Sequence, residues 1–145
     1  MSVTPQLQTV VSQPFDENTY IVWLPGRRDA VVFDPGLQPD LILDVLREQG
    51  LEVAAIVNTH GHADHIGGNA ALKEAFPQAP LIIGAGDAVM LADAEANLSA
   101  PFGFAVTSPP ADRTVGSGKG RHHRVADRLD HGAGDRVDPG QRAVA

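Results

Sequence analysis

The chain has no cysteine among its 145 residues. Disulfides, thiolate metal sites and a cysteine nucleophile are therefore excluded, and His and carboxylate remain the only direct metal ligands of the usual kinds. The absence fits a cytoplasmic location. Aromatic residues are scarce at 5%, against 43% hydrophobic residues in all, so the core must be built from Leu, Ile, Val and Ala. That favours mixed helix and sheet. No apolar run approaches the roughly 20 residues of a membrane span, and "MSVTPQLQTVVSQPF" lacks a basic segment followed by an apolar one. A soluble, unexported protein without a membrane partner is expected.

Basic charge is scarce in the body of the chain. Residues 1–112 hold four Lys/Arg against fourteen Asp/Glu, whereas residues 113–145 hold seven against four. An acidic body argues against nucleic acid as a partner, because phosphate neutralisation needs a basic face. The length suits one domain.

"QLQTVVS" (6–12), "NTYIVWL" (18–24) and "DAVVFD" (29–34) are β-branched and aromatic runs separated by turn-forming residues, and they predict a meander of antiparallel strands. "PDLILDVLREQG" (39–50) predicts a helix burying Leu41, Ile42, Val45 and Leu46 and ending at Gly50. "VAAIVN" (53–58) reads as a strand buried on both faces. Beyond it, 67–76 reads as a helix, 80–84 as a strand and 86–93 as a short helix. Residues 96–110 read as loop, with room for a strand at 104–107. The order is an α/β pattern.

The strand at 53–58 runs directly into "NTHGHADHIGG" (58–68), where His60, His62, Asp64 and His65 fall within six positions. His60 and His62, separated by one small residue, project to the same side of an extended backbone and can grip one ion. Asp64 and His65 can grip a second, about 3.5–4 Å away. Gly61 and Ala63 let the backbone wrap closely, and Gly67-Gly68 permits tight packing of the next helix. Such ligands suit Zn²⁺, with Fe or Mn as alternatives. The expected chemistry is hydrolysis by a water acidified at the metals, with Asp64 as the catalytic residue that both binds metal and orients the nucleophile. The bland alternative is that the histidines are surface polar groups and Asp64 caps the helix starting near His65.

At these four residues the sequence resembles the metallo-β-lactamase fold superfamily, whose hallmark is His-x-His-x-Asp-His. Within it, "NTY" (18–20), "FDPG" (33–36), "NTHGHADHIGGN" (58–69) and "NLS...FG...SPPADR" (97–113) resemble the hydroxyacylglutathione hydrolase (glyoxalase II) type. The resemblance covers about residues 5–113. It implies the N-terminal half of an αββα sandwich and a two-zinc site, with His60 and His62 on the first metal and Asp64 and His65 on the second. It also implies hydrolysis of a small-molecule thioester or related acyl bond, for which a glutathione conjugate is a candidate. Asp34 would support the site, or would simply be a turn residue ahead of Pro35-Gly36.

Family members complete the site with a His in a Gly-His-Thr-Pro-Gly-like segment, a bridging Asp and a final His, none of which this sequence matches. Residues 113–145 contain one Leu, no Ile, Phe, Tyr, Trp or Met, six Gly and six Arg, a composition with too little apolar surface to repay ordering. The expectation is a partial domain over 1–113 followed by an irregular basic tail over 114–145, produced by a frame shift or a misplaced gene end. His122, His123 and His131 are expected to be solvated tail residues. Two alternatives to the hydrolase follow. One is a catalytically silent metal-binding chain; the other is a persulfide dioxygenase-like protein using a single Fe.

Overall fold

The computed structural model describes residues 2–116. The first three strands, β1 (Gln6–Ser12), β2 (Glu17–Trp23) and β3 (Asp29–Phe33), form the expected antiparallel meander. Helix α1 (Pro39–Gln49) then carries the chain back so that β4 (Glu52–Asn58) lies parallel to β3. Gly50 ends α1 with φ 68°, a left-handed conformation that glycine adopts without steric cost. The short α2 (Ala63–Ile66) and α3 (Asn69–Ala75) lead to β5 (Leu81–Gly84), and β6 (Arg113–Val115) closes a mixed sheet ordered β1 to β6.

One face of this sheet is sealed. Val10, Ile21, Val32, Ile56, Leu81 and Ile83 point into a core shared with Ile42 and Leu46 of α1, Ile66 of α2 and Leu72 of α3. On the opposite face, Leu7, Val11 and Tyr20 are exposed, and Val31, Phe33, Val57 and Ile82 are only half-buried. Among the described residues this face has no covering layer, which is what half of a sandwich presents.

Several expectations are corrected. β4 is not buried on both faces: Val53, Ile56 and Asn58 are buried, while Ala54 is exposed. Leu41 is exposed, outside the buried stripe of α1, which is Ile42 and Leu46 with Val45 half-buried against the core beside them. Ala85–Ala92 is a 3-10 helix. Residues 104–107 form no strand; there the chain is tied down by the buried Asn97, whose amide donates to the carbonyls of Met90 (2.9 Å) and Val106 (2.8 Å). β6 was not foreseen, since Arg-Thr-Val carries little strand signal alone; it pairs with Ile82–Gly84 through its backbone.

Candidate metal centre

β4 ends at Asn58, and the next seven residues wrap around the C-terminal edge of the parallel strands. A buried amide pair anchors the wrap. The Asn58 side chain donates to the His65 carbonyl (3.1 Å) and to Asn69 Oδ1 (3.2 Å), and Asn69 returns a bond to Asn58 Oδ1 (2.9 Å) while holding Ser108 Oγ (2.9 Å). The glycines have the expected steric role. A Cβ on Gly61 would meet Met90 Cβ at 2.7 Å, and one on Gly68 would meet the Gly36 carbonyl at 2.8 Å.

The four sequence-predicted residues gather here, with Asp34 among them. His60, His65 and Asp34 each offer a ligand atom within 4.8 Å of the others. His62 stacks edge-on against His60, ring centroids 4.9 Å apart, and Asp64 Oδ2 lies 3.7 Å from His65 Nε2. Asp64 does not cap α2: the helix starts after His62 without a side-chain capping bond. His122, His123 and His131 lie outside the described residues.

Asp34 organises the cluster. It sits in the turn after β3 with φ 56°, a conformation open to Asp and Asn more than to most residues. Its Oδ1 accepts from the Thr59 backbone N–H (2.7 Å), and its Oδ2 accepts from the Thr59 hydroxyl (2.6 Å) and lies 3.1 Å from His65 Nδ1. A carboxylate only accepts, so His65 carries its proton on Nδ1 and leaves Nε2 free. The single Thr59 proton is committed to Asp34, so Thr59 Oγ1, 3.0 Å from His60 Nδ1, accepts from that ring. His60 is thereby set in the same tautomer. One carboxylate fixes two imidazoles, the support that metal-binding histidines commonly receive.

Burial, and then the neighbouring His65, push the His60 pKa below its ordinary value, which keeps the ring neutral and able to ligate. Gly61 N–H is held by Asp87 Oδ2 at 3.0 Å, fixing the backbone between the first two histidines.

Glu17 was missed by the sequence reading. It opens β2 with its side chain buried, and its pKa is raised to about 8 by burial and then by the charges of Asp34 and Asp64. A signal was available: on β2 the inward positions Glu17, Thr19 and Ile21 alternate with exposed ones, so Glu17 is a charge at a core position.

The donor set fits a divalent metal. Two imidazoles held through Nδ1, with the carboxylates of Asp34 and Asp64 beside them, are among the ligand types that bind Zn²⁺, Fe and Mn. Beside it opens a cavity of about 190 Å³, lined by Phe15, Leu98, Phe102 and Phe104 together with His62 and Asp64.

A mixed sheet carrying His-x-His-x-Asp-His at the end of a parallel strand, over a carboxylate that orients the rings, is an arrangement suited to binding a divalent metal. The family model described as the metallo-beta-lactamase superfamily matches residues 13–142, and the chain belongs to that superfamily. It is similar to a hydroxyacylglutathione hydrolase from Acaryochloris marina (strain MBIC 11017), at 45% identity over 62 residues, which are 43% of this chain and 24% of that protein. A second, from Synechococcus sp. (strain WH7803), is 35% identical over 83 residues, 57% of this chain and 32% of that protein. Among solved structures, the B3 metallo-beta-lactamase BLEG-1 superposes with a TM-score of 0.71 at 28% identity, covering 76% of this chain and 53% of that one. TTHA1623 in a di-iron-bound form gives 0.60 at 33% identity, covering 71% and 50%. The chain thus spans about half the length of these solved structures, and the matched part of the curated relatives is a third of their length or less.

Proposed function

We propose that the chain carries the first half of the site of a divalent-metal-dependent hydrolase of the hydroxyacylglutathione hydrolase type, acting on a small-molecule thioester or related acyl bond. The observation that carries this reading is the Asp34 network, which engages Nδ1 of both His60 and His65 and leaves their Nε2 atoms available to ligate. His60 and His62 would hold one ion, and Asp64 and His65 a second. A divalent ion bound there supplies an acidified water and a Lewis acid for the acyl carbonyl.

The protein's own residues do the rest. Asp34 and Thr59 keep the imidazoles in the ligating tautomer. Asp64, partly exposed beside the cavity, would accept a proton from a nucleophilic water and orient it. The apolar side chains of the cavity would pack against an acyl group bound next to His62 and Asp64. Zinc is the metal the ligand types favour, and iron is the alternative that the di-iron relative supports.

Turnover of a lactoylglutathione-like thioester by the purified chain, abolished by a chelator and by His62→Ala, is the expected result. Tight metal binding without turnover favours the second reading, a catalytically silent metal-binding chain. That reading is supported by the limited ligand set among the described residues.

A further inference from the structure

Beneath His65 lies a carboxyl group that the fold has no evident reason to bury. The Glu17 side chain is 1% exposed, and its Oε2 has no hydrogen-bond partner among the described residues. Its Oε1 fares little better. The nearest hydroxyl, Thr19 Oγ1, is 3.4 Å away, and that hydroxyl's one proton is committed to the Asp34 carbonyl at 2.8 Å. A buried polar group starved of donors is rare and costly, and an apolar residue of the same shape would suit folding better.

The surroundings nevertheless keep room for it. A Cβ on Gly36 would collide with Glu17 Oε1 and approach Ser12 Oγ to 2.6 Å, so the turn after β3 runs without a side chain at the one place where Glu17 needs space. What Glu17 does reach is His65: Oε2 lies 3.4 Å from Nδ1, the nitrogen that also faces Asp34 Oδ2 at 3.1 Å. The N–H of His65 therefore sits between two carboxyl groups that arrive from different strands, one from the start of β2 and one from the end of β3.

We infer that Glu17 is a second positioning residue for His65, acting with Asp34 on the Nδ1 edge of the imidazole to hold the ring with Nε2 left to ligate. Asp34 accepts from Nδ1–H and fixes the tautomer, while the Glu17 carboxyl oxygen, 3.4 Å from the same nitrogen, attracts that N–H edge without forming a hydrogen bond and opposes rotation of the ring about its side-chain torsions. Asp34 alone leaves one side of that N–H open. Glu17 closes it at the expense of fold stability, a trade expected where a site needs rigid support.

The test compares Glu17→Met, which keeps the bulk and removes the acceptors, with Glu17→Gln, which keeps a carbonyl acceptor. The first readout is the ring-nitrogen NMR spectrum of His65 in the metal-free full chain. This measurement decides the role of Glu17 whether or not the hydrolase reading stands, although the inference rests on that reading for His65 ligating through Nε2. The second is Zn²⁺ affinity, measured by competition with a chromogenic chelator. In the wild type and Glu17→Gln, His65 is expected as the Nδ1–H tautomer. In Glu17→Met, where Asp34 still accepts from Nδ1, that tautomer is expected to persist with the His65 ring signals broadened by motion and with Zn²⁺ affinity down about tenfold, whereas Glu17→Gln largely retains the wild-type line widths and affinity. Wild-type line widths and wild-type affinity in a folded Glu17→Met chain overturn the inference. So does a loss in Glu17→Gln equal to that in Glu17→Met. Should Glu17→Met not fold, the Glu17→Gln chain decides alone: retention of the wild-type spectrum and affinity supports the inference, and their loss overturns it.

Discussion

Asp34 and His65 are 31 positions apart in sequence, and their side chains meet at 3.1 Å, Oδ2 to Nδ1. This contact joins the antiparallel half of the sheet to the histidine wrap. Asp34→Asn is the informative change, because Asn tolerates the left-handed backbone at this position. It retains the bulk but weakens acceptance from Thr59 and His65. Divalent-metal affinity should fall about 10- to 100-fold. Calorimetric Zn²⁺ titration of the two chains checks this, and equal affinities would remove Asp34 from the account.

Thr59 passes the orientation from Asp34 to His60. Thr59→Val preserves shape and deletes both the 2.6 Å bond to Asp34 and the 3.0 Å bond to His60. A stability loss of about 1–3 kcal/mol is expected, since one bond is to a charged acceptor. Thr59→Ser should restore most of it. Urea denaturation of the three chains gives the comparison, and a Val variant as stable as the wild type contradicts the network.

The Glu17 carboxyl gives the metal-free chain a distinctive pH dependence. Its pKa is raised from 4.5 to about 8 by burial first, with Asp34 and Asp64 adding to it. Between those values the folded chain retains a proton that the unfolded chain has released. The Glu17 contribution to stability therefore falls as pH rises through that window, by at most about 1.4 kcal/mol per pH unit, and is constant on either side. Glu17→Gln, which has no proton to release, should remove that slope. Denaturation midpoints in chelator from about pH 5 to about pH 8 measure it; parallel profiles for the two chains would show that Glu17 titrates normally.

Gly36 should accept no side chain. Gly36→Ala places a methyl against the Glu17 carboxyl and Ser12 Oγ, and overpacking of this kind costs about 1–3 kcal/mol. Combining it with Glu17→Ala opens the space again, so the double variant should be less destabilised than the sum of the two single changes. Additive losses in a double-mutant cycle would mean that the two positions do not touch.

The His-x-His-x-Asp-His cluster was legible because its ligands are neighbours in sequence, and the meander and α1 because their periodicities are undiluted. The support beneath the cluster was harder to read. Asp34 was seen only as a turn residue or a general support, and Glu17 and Asp87 were not seen at all. Each reaches the site across 26 or more positions through pairings that only the folded sheet establishes. Glu17 could have been flagged by its inward register next to Thr19 on β2. β6 could not, because Arg113–Val115 is a strand only by virtue of the β5 edge beside it. The tail expected over 114–145 lies outside the described residues after position 116, while the family match continues to residue 142.

The central claim is that His60, His62, Asp64 and His65 form a metal centre in this chain. Metal analysis of the purified full chain, beside a His60→Ala/His65→Ala double variant prepared identically, tests it most directly. At least one divalent ion per wild-type chain is expected, resistant to gel filtration, removed by strong chelator and absent from the variant. Metal content no higher in the wild type than in the variant, after both are offered Zn²⁺, Fe²⁺ and Mn²⁺ in turn, would contradict it.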